Sequence, residues 1–91
     1  MSNNYYIVVP CYNEENNIEK LLLRINDSIG SYSQYKILFI DDGSTDKSWS
    51  KIDNLCNQNE KVIGIKLSRN FGKDSAIEAG LNYLEKIENF K

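Results

Sequence analysis

An apolar run leads directly into a pair of acids in the segment Tyr35-Lys-Ile-Leu-Phe-Ile-Asp-Asp-Gly-Ser-Thr-Asp46. The run from Ile37 to Ile40 is typical of a strand that is buried on both faces of a parallel sheet. Asp41 and Asp42 follow at the carboxyl end of that strand, where open α/β sheets hold their ligands. The segment therefore predicts a central strand with a binding site at its tip.

The rest of the chain alternates between strand and helix patterns. A first strand is predicted at Tyr5–Val9 and ends at Pro10, because proline cannot donate a hydrogen bond to a neighbouring strand. A third strand is predicted at Val62–Leu67. The order β-α-β-α-β-α predicts an α/β fold with a parallel sheet, right-handed crossovers, helices on both faces and strand order 3-2-1.

Three helices are predicted from apolar residues that recur at helical spacing. The first has Asn13 as its N-cap and ends at Gly30, and the second is capped by Ser44 or Thr45. The predicted buried faces are Ile18, Leu21, Leu22, Ile25 and Ile29 in the first helix; Trp49, Ile52, Leu55 and Cys56 in the second; and Ile77, Leu81, Leu84 and Ile87 in the third, beside the small Ala76, Ala79 and Gly80.

The composition is that of a small globular domain or of part of a larger one. Of the 91 residues, 41% are hydrophobic and 26% are charged, which argues against disorder. A net charge of −2 with scattered basic residues gives no reason to expect a nucleic acid as partner. The absence of histidine excludes a Ser-His-Asp triad. Cys11 and Cys56 lack the spacing of a zinc or redox pair and are expected to be reduced residues in or near the core.

No signal peptide is recognisable, and no run reaches the roughly 18 apolar residues of a membrane span, so we expect a cytoplasmic protein. A doubly wound sheet has a further strand beside its first strand, but this chain ends after the third helix. The first strand therefore becomes an edge that can pair with another chain. We expect residues 1–91 to form one partial domain that associates as a homodimer through this edge.

The loops that follow the three predicted strands are expected to meet at one edge of the sheet. The first, at residues 10–15, has no glycine, so it is not the GxGxxG turn of a dinucleotide site, and no P-loop sequence occurs. Asp41 and Asp42 can accept hydrogen bonds from ribose hydroxyls or a base N–H, or face a metal ion. Arg69 and Lys73 lie beside a predicted helix N-terminus, where cations and free backbone N–H groups suit a phosphate. Together these residues indicate a nucleotide-type ligand.

Three blocks of the sequence are Val9-Pro-Cys-Tyr-Asn-Glu-Glu-Asn-Asn-Ile18, Ile40-Asp-Asp-Gly-Ser-Thr-Asp-Lys-Ser48 and Leu67-Ser-Arg-Asn-Phe-Gly-Lys-Asp-Ser-Ala76. In this order they resemble the family-2 glycosyltransferases of the GT-A fold. The likeness is greatest to the polyprenyl-phosphate sugar transferases, which include dolichyl-phosphate mannose synthase. The resemblance covers nearly the whole chain. It implies a three-layer α/β/α, Rossmann-like sheet of the nucleotide-diphospho-sugar transferase type, truncated here to its N-terminal half.

The resemblance also implies a site for the UDP or GDP of a nucleotide-sugar donor. Pro10, Tyr12 and Glu14 would border the base and ribose, although Tyr12 has plain packing as an alternative role. Asp41 would bind the uracil or guanine edge, while Asp42 would support its loop. The residues near the base and phosphates would be Arg69, Asn70, Gly72 and Lys73.

Other parts of the family's machinery have no counterpart in this chain. The Asp-x-Asp metal motif and the general base come later in the family, and after Lys73 the only candidate is Asp74, within a helix. The resemblance therefore implies that a divalent cation, Mg²⁺ or Mn²⁺, and the catalytic groups belong to the complete enzyme. That enzyme would act in bacterial cell-wall or polysaccharide biosynthesis, at the cytoplasmic face of the membrane. It would transfer sugar with inversion to a lipid phosphate or saccharide, and we expect the 91 residues alone to transfer none.

The same residues leave other interpretations open. One aspartate of the pair can cap the next helix while the other is solvated, and Arg69 and Lys73 can be solvated surface charges. The chain can also be a non-catalytic α/β module that binds a partner through its first strand. A receiver-like phosphotransfer domain is disfavoured, because it needs acids at the tip of strand one and a phosphoacceptor on strand three, where this sequence has Pro10 and Ser68.

Overall fold

A computed structural model describes residues 5–29 and 34–88 of the chain. Within these residues it has three strands and three helices, which are β1 (Tyr5–Cys11), α1 (Ile18–Ile29), β2 (Tyr35–Asp41), α2 (Ser48–Gln58), β3 (Val62–Lys66) and α3 (Lys73–Glu88). The α/β class and the predicted alternation of strands and helices are confirmed. None of these helices is long and apolar enough to cross a membrane.

β2 lies between β1 and β3 and pairs with both in parallel. Ile37, for example, is opposite Ile7 of β1 and Val62 of β3. The strand order is β1-β2-β3, which is 3-2-1 when read from the other edge. Because all three strands run in the same direction, their carboxyl ends lie along one edge of the sheet.

Side chains of β2 alternate between two hydrophobic clusters on opposite faces of the sheet. Ile37 and Phe39 pack in the cluster that includes residues of α1 and α2, whereas Leu38 and Ile40 pack in the cluster that includes residues of α3. All four side chains are fully buried. Helices therefore cover both faces of β2, which explains why its sequence is apolar without alternation.

β1 continues through Pro10 to Cys11, so the predicted end of this strand at Pro10 was wrong. The N–H of Asp42 donates to the carbonyl oxygen of Cys11 at 2.8 Å, which shows that the backbone groups of Cys11 face β2. The backbone groups of Pro10 point the opposite way, toward the outer edge. The missing N–H of the proline therefore removes no bond to β2.

The third helix packs on the sheet mainly through small residues, so its predicted buried face was partly wrong. Leu84 is buried, as expected, but the predicted face also includes two exposed residues, Leu81 at 53% and Ile87 at 45%. Ala76 is fully buried, and a Cβ on Gly80 would lie 2.5 Å from Cδ1 of Ile40. Because this side of α3 carries little bulk, the helix lies close to the sheet.

The predicted buried faces of the first two helices are confirmed. The predicted faces of the first two helices pack in the core cluster of their side of the sheet. Cys11 and Cys56 belong to the same cluster and are both free thiols, as expected. The predicted end of the first helix at Gly30 lies outside the described residues.

Candidate functional site

Three loops lie side by side where the strands end. We call residues 12–17 loop 1, residues 42–47 loop 2 and residues 67–72 loop 3, after β1, β2 and β3 respectively. Parallel pairing extends into the first residues of these loops. The N–H of Asp42 donates to the carbonyl oxygen of Cys11 at 2.8 Å, and the N–H of Leu67 donates to that of Asp41 at 2.9 Å. The three loops therefore begin side by side at one edge of the sheet, as the sequence predicted.

Loop 1 is joined to loop 2 by residues that the sequence assigned to helix caps. The Oδ1 atom of Asn13 accepts the backbone N–H of Thr45 at 2.8 Å and that of Asp46 at 3.3 Å. The N–H of Asn13 in turn donates to Oγ of Ser44 at 2.8 Å. Asn13 does not cap α1, and neither Ser44 nor Thr45 caps α2, so these predictions were wrong. The hydrogen-bonding groups that could have formed caps bind the neighbouring loop instead.

The start of α2 also binds the backbone of loop 1. The N–H of Glu14 donates to Oγ of Ser48 at 2.8 Å, and the N–H of Glu15 donates to Oδ2 of Asp46 at 3.2 Å. Asp46 accepts the N–H of Ser48 through its other oxygen, at 2.9 Å. Desolvation opposes ionisation of Asp46, but the hydrogen bonds from Ser48 and Glu15 outweigh it and lower the pKa of this carboxyl group. Charge-assisted bonds thus hold loop 1 against α2.

Loop 3 is held by the carboxylate of Asp42, which is 3% exposed. Its Oδ1 accepts the N–H of Phe71 at 2.8 Å, and its Oδ2 accepts the N–H of Gly72 at 3.1 Å and the side-chain amide of Asn70 at 3.3 Å. These two backbone N–H groups lie immediately before α3, where the sequence suggested free donors for a phosphate. They are already bound by an anion of the chain itself and are not available to a phosphate, so any free N–H groups for a phosphate would be those of the first turn of α3, which begins at Lys73.

Loop 2 contacts the backbone of loop 3 at Gly43. Its φ is +70°, a region that favours glycine. A Cβ at this position would lie 2.1 Å from the carbonyl carbon of Arg69 and 2.3 Å from the nitrogen of Asn70. Both are backbone atoms, so no side-chain rotation can relieve the overlap. Gly72 also has a positive φ, of +103°, but nothing lies within 4 Å of its Cβ position.

A cleft of about 550 Å³ opens between loop 1, loop 3 and the first turns of α1. Seven of the nine predicted site residues line it, namely Pro10, Tyr12, Glu14, Asp42, Asn70, Gly72 and Lys73. The sequence did not assign the other lining residues to the site, and these are Cys11, Asn17, Ile18 and Leu21. Ile18 and Leu21 had been recognised only as members of a helix face, and that pattern does not reveal that the face also reaches a cleft.

Arg69 and Asp41 are the two predicted residues that do not line the cleft. The guanidinium of Arg69 lies over the ring of Phe71, 4.6 Å from its centroid. Asp41 is fully buried, and neither of its carboxylate oxygens has a hydrogen-bond partner among the described residues. It is opposite Cys11 in the strand pairing, and Cys11 does line the cleft. The carboxylate of Asp41 is therefore next to the cleft rather than in its wall.

Cys11 is a neutral thiol in this environment. Burial, followed by the nearby carboxylates of Glu14 and Asp41, raises the pKa of Cys11 to about 12. A thiol with such a pKa is a poor nucleophile, because the reactive form is the thiolate. In the part of the chain that the structure describes, no three histidine, cysteine, aspartate or glutamate side chains are grouped so that they could hold a metal ion. The walls of the cleft carry a tyrosine, Tyr12, and a lysine, Lys73, together with the acids Glu14 and Asp42.

Comparison with known proteins gives a match over nearly the whole chain. The sequence profile of the family described as "Glycosyl transferase family 2" matches residues 6–85. An uncharacterized glycosyltransferase of Synechocystis sp. is 38% identical over 80 residues, which are 87% of this chain and 25% of that protein. An undecaprenyl-phosphate 4-deoxy-4-formamido-L-arabinose transferase of Proteus mirabilis is 40% identical over 82 residues, 88% of this chain and 25% of that protein. The chain thus spans about a quarter of the length of these curated relatives.

The contact at Gly43 predicts unequal effects of alanine at the two glycines of positive φ. We expect Gly72→Ala to lower the free energy of unfolding by about 1–2 kcal/mol, the cost of the left-handed backbone conformation alone. We expect Gly43→Ala to lower it by about 1–3 kcal/mol more, because the new methyl group also overlaps the backbone of loop 3. Urea unfolding of both variants measures the difference. Equal losses would show that loops 2 and 3 are not in backbone contact.

Proposed function

The chain belongs to glycosyl transferase family 2, and on that premise we propose that it is the nucleotide-binding half of an enzyme that uses a nucleotide-diphospho-sugar donor. The observation that carries the proposal is the cleft at the carboxyl ends of the strands, because its walls come from the same three loops that carry the family resemblance. The family match runs from residue 6 to residue 85 and so includes all three loops.

The nucleoside occupies the side of the cleft formed by loop 1. Tyr12 is 45% exposed at the wall of the cleft and offers a ring face to a base, with Pro10 beside it. Glu14 accepts hydrogen bonds from ribose hydroxyls. Asp41 accepts an N–H from the edge of uracil or guanine, and its two unpartnered oxygens support this role. A buried carboxylate without hydrogen bonds is unfavourable, and a bound donor would remove that penalty.

The diphosphate lies toward the start of α3. Lys73 is the first residue of that helix and lines the cleft, so its ammonium group neutralises a phosphate. Asn70 and Gly72 border the same end, while Asp42 keeps loop 3 in place through its backbone bonds. Arg69 stacks on a neighbouring ring outside the cleft and has no ligand contact in this arrangement.

The sugar and its acceptor are handled by the complete enzyme. The Proteus mirabilis relative is named as an undecaprenyl-phosphate transferase, which supports a lipid-phosphate acceptor, with a saccharide as the alternative. We propose that the complete enzyme acts in bacterial cell-wall or polysaccharide biosynthesis. It would be cytoplasmic and would bind its lipid acceptor at the cytoplasmic face of the membrane. The transfer is inverting and needs a general base. Among residues 5–29 and 34–88 no three histidine, cysteine, aspartate or glutamate side chains are grouped to hold Mg²⁺ or Mn²⁺. As the family resemblance implies, both the divalent cation and the base would belong to the rest of the enzyme.

The nucleotide proposal is tested by titrating UDP and GDP into the chain while backbone amide signals are followed by NMR. We expect one of the two to shift the signals of Tyr12 and Asp41. Asp41→Asn should weaken that binding at least about tenfold, since a hydrogen bond to a charged group contributes about 1.5–3 kcal/mol. The same change should raise the free energy of unfolding by about 1–3 kcal/mol, because a neutral amide is less costly to bury.

Asp53→Asn is the matched control, because Asp53 is an exposed residue of α2 away from the cleft. It should change neither binding nor stability appreciably. Titrations in which neither nucleotide shifts any signal of the three loops would overturn the proposed function.

A second expectation concerns catalysis by the chain alone. Purified chain supplied with UDP- or GDP-sugars, undecaprenyl phosphate and Mg²⁺ or Mn²⁺ should transfer no sugar, because the described residues contain no group of three metal-ligating side chains and the family resemblance implies that the general base comes later in the enzyme. Product formation from a radiolabelled donor sugar is the measurement. Turnover above that of heat-denatured chain would contradict the assignment of catalysis to the rest of the enzyme.

The outer edge of β1 supports a second proposal, a homodimer in which two sheets join. β1 pairs with β2 on one side and with no other strand among residues 5–29 and 34–88. The backbone groups of Val8, like those of Pro10, face the outer edge, so Val8→Pro should block pairing there and leave the bonds to β2 intact. Val8→Ala controls for the lost side chain.

Sedimentation equilibrium should show a dimer for the wild type and for Val8→Ala, and a monomer for Val8→Pro. A wild type that stays monomeric at high concentration would exclude the dimer.

A further inference from the structure

We infer that Asn13 is a positioning residue that sets the shape of the nucleotide cleft by locking loop 1 onto loop 2. The inference rests on the proposed nucleotide-binding function and adds to it a residue that has no ligand contact of its own. Asn13 is absent from the residues that line the cleft, whereas its two neighbours, Tyr12 and Glu14, both line it. The backbone therefore turns at residue 13 so that the flanking side chains face the cleft and the asparagine faces the other loop.

The backbone of Asn13 has an unusual conformation. Its φ is +52°, and it is the only non-glycine residue with positive φ among the described residues. Most side chains disfavour this left-handed region, whereas asparagine tolerates it because its short amide can form local hydrogen bonds. Backbone strain of this kind persists only where surrounding contacts hold it, and it is concentrated near functional sites.

The side chain of Asn13 supplies the contacts that hold the turn. Its Oδ1 atom accepts the N–H of Thr45 at 2.8 Å, the N–H of Asp46 at 3.3 Å and the hydroxyl of Thr45 at 3.4 Å. Its backbone N–H donates to the hydroxyl of Ser44 at 2.8 Å. One exposed residue thus binds three successive residues of loop 2. Without this oxygen only the backbone N–H bond to Ser44 remains among these contacts, and a change to negative φ would redirect the two residues that line the cleft.

Three substitutions distinguish the two properties of Asn13, which are its acceptor oxygen and its tolerance of positive φ. Asn13→Asp is the conservative change, because an aspartate keeps both an acceptor oxygen and tolerance of positive φ. Asn13→Gly keeps the backbone freedom but removes the acceptor, and Asn13→Ala removes both. We expect the glycine and alanine variants to bind UDP or GDP at least about tenfold more weakly, because small displacements of positioning groups have large effects. The aspartate variant should bind within about threefold of the wild type.

The matched control is Asn59→Ala. The Oδ1 atom of Asn59 accepts the N–H of Lys61 at 2.9 Å in a turn at the end of α2, so this change also removes an asparagine-to-backbone bond. It should lower the melting temperature without changing nucleotide affinity. All titrations are made well below the lowest melting temperature, so that a loss of folded protein does not appear as a loss of affinity.

The outcomes distinguish this inference from the proposed function. If Asn13→Gly binds as well as the wild type, or if Asn13→Asp fails to restore binding, the side-chain oxygen does not position the cleft and the inference is wrong. If the wild type binds neither UDP nor GDP, the proposed function fails, and the amide signals of Tyr12, Glu14 and Thr45 in the ligand-free variants decide the inference. Displaced signals in Asn13→Ala that return in Asn13→Asp support the positioning role, and unchanged signals overturn it.

Discussion

Loop 2 binds both of its neighbours, and the rest of the site depends on that. β2 is covered on both faces and paired on both sides, so the polar residues that follow it leave the sheet between loop 1 and loop 3. Asp42 then binds loop 3 through two backbone N–H groups, while the turn at Thr45 and Asp46 binds the side chain of Asn13. The cleft between loops 1 and 3 keeps its width because the loop between them is fixed to each. All of these bonds are hydrogen bonds from backbone N–H groups rather than exposed ion pairs, so the arrangement depends little on salt.

The distribution of charge around the cleft determines how the nucleotide that we propose would be oriented. A phosphate could have been expected at the backbone N–H groups before α3, but the carboxylate of Asp42 already accepts two of them. Glu14, Asp42 and the buried Asp41 make loop 1 and the floor beside it unfavourable for an anion and suitable for hydroxyl and N–H donors. Lys73 is the cationic residue that lines the cleft, and it is at the opposite end. The nucleotide that we propose as the ligand would therefore lie with its nucleoside toward loop 1 and its phosphates toward α3.

The sequence predicted the elements well because their signals are local, and it predicted the caps poorly because the real partners are distant. The apolar run from Ile37 to Ile40 is sufficient to identify β2. Asn13 was interpreted as a cap by its distance from the next helical residues, yet the N–H that its side chain binds belongs to a residue 32 positions away. Pro10 was interpreted as a strand end because sequence alone does not show which of its sides faces β2. Large apolar residues of a helix usually face the core, but in α3 Leu81 is exposed and Gly80 is buried. Contact with Ile40 leaves room only for small residues at this position.

Two residues depart from the usual structural preferences for burial of charge and for backbone φ, and both are beside the same cleft. Asp41 has a buried carboxylate without a hydrogen-bond partner among the described residues, and Asn13 has a positive φ without being glycine. Neither feature helps the sheet or the helices, since apolar side chains at position 41 or a glycine at position 13 would satisfy the local geometry better. Departures from local structural preference are concentrated at functional sites, where they are retained for function rather than for stability of the fold. One departure leaves acceptor oxygens without partners beside the cleft, and the other accompanies the turn that directs Tyr12 and Glu14 into it. Both are therefore accounted for by the ligand that we propose, because a nucleoside is rich in hydrogen-bond donors.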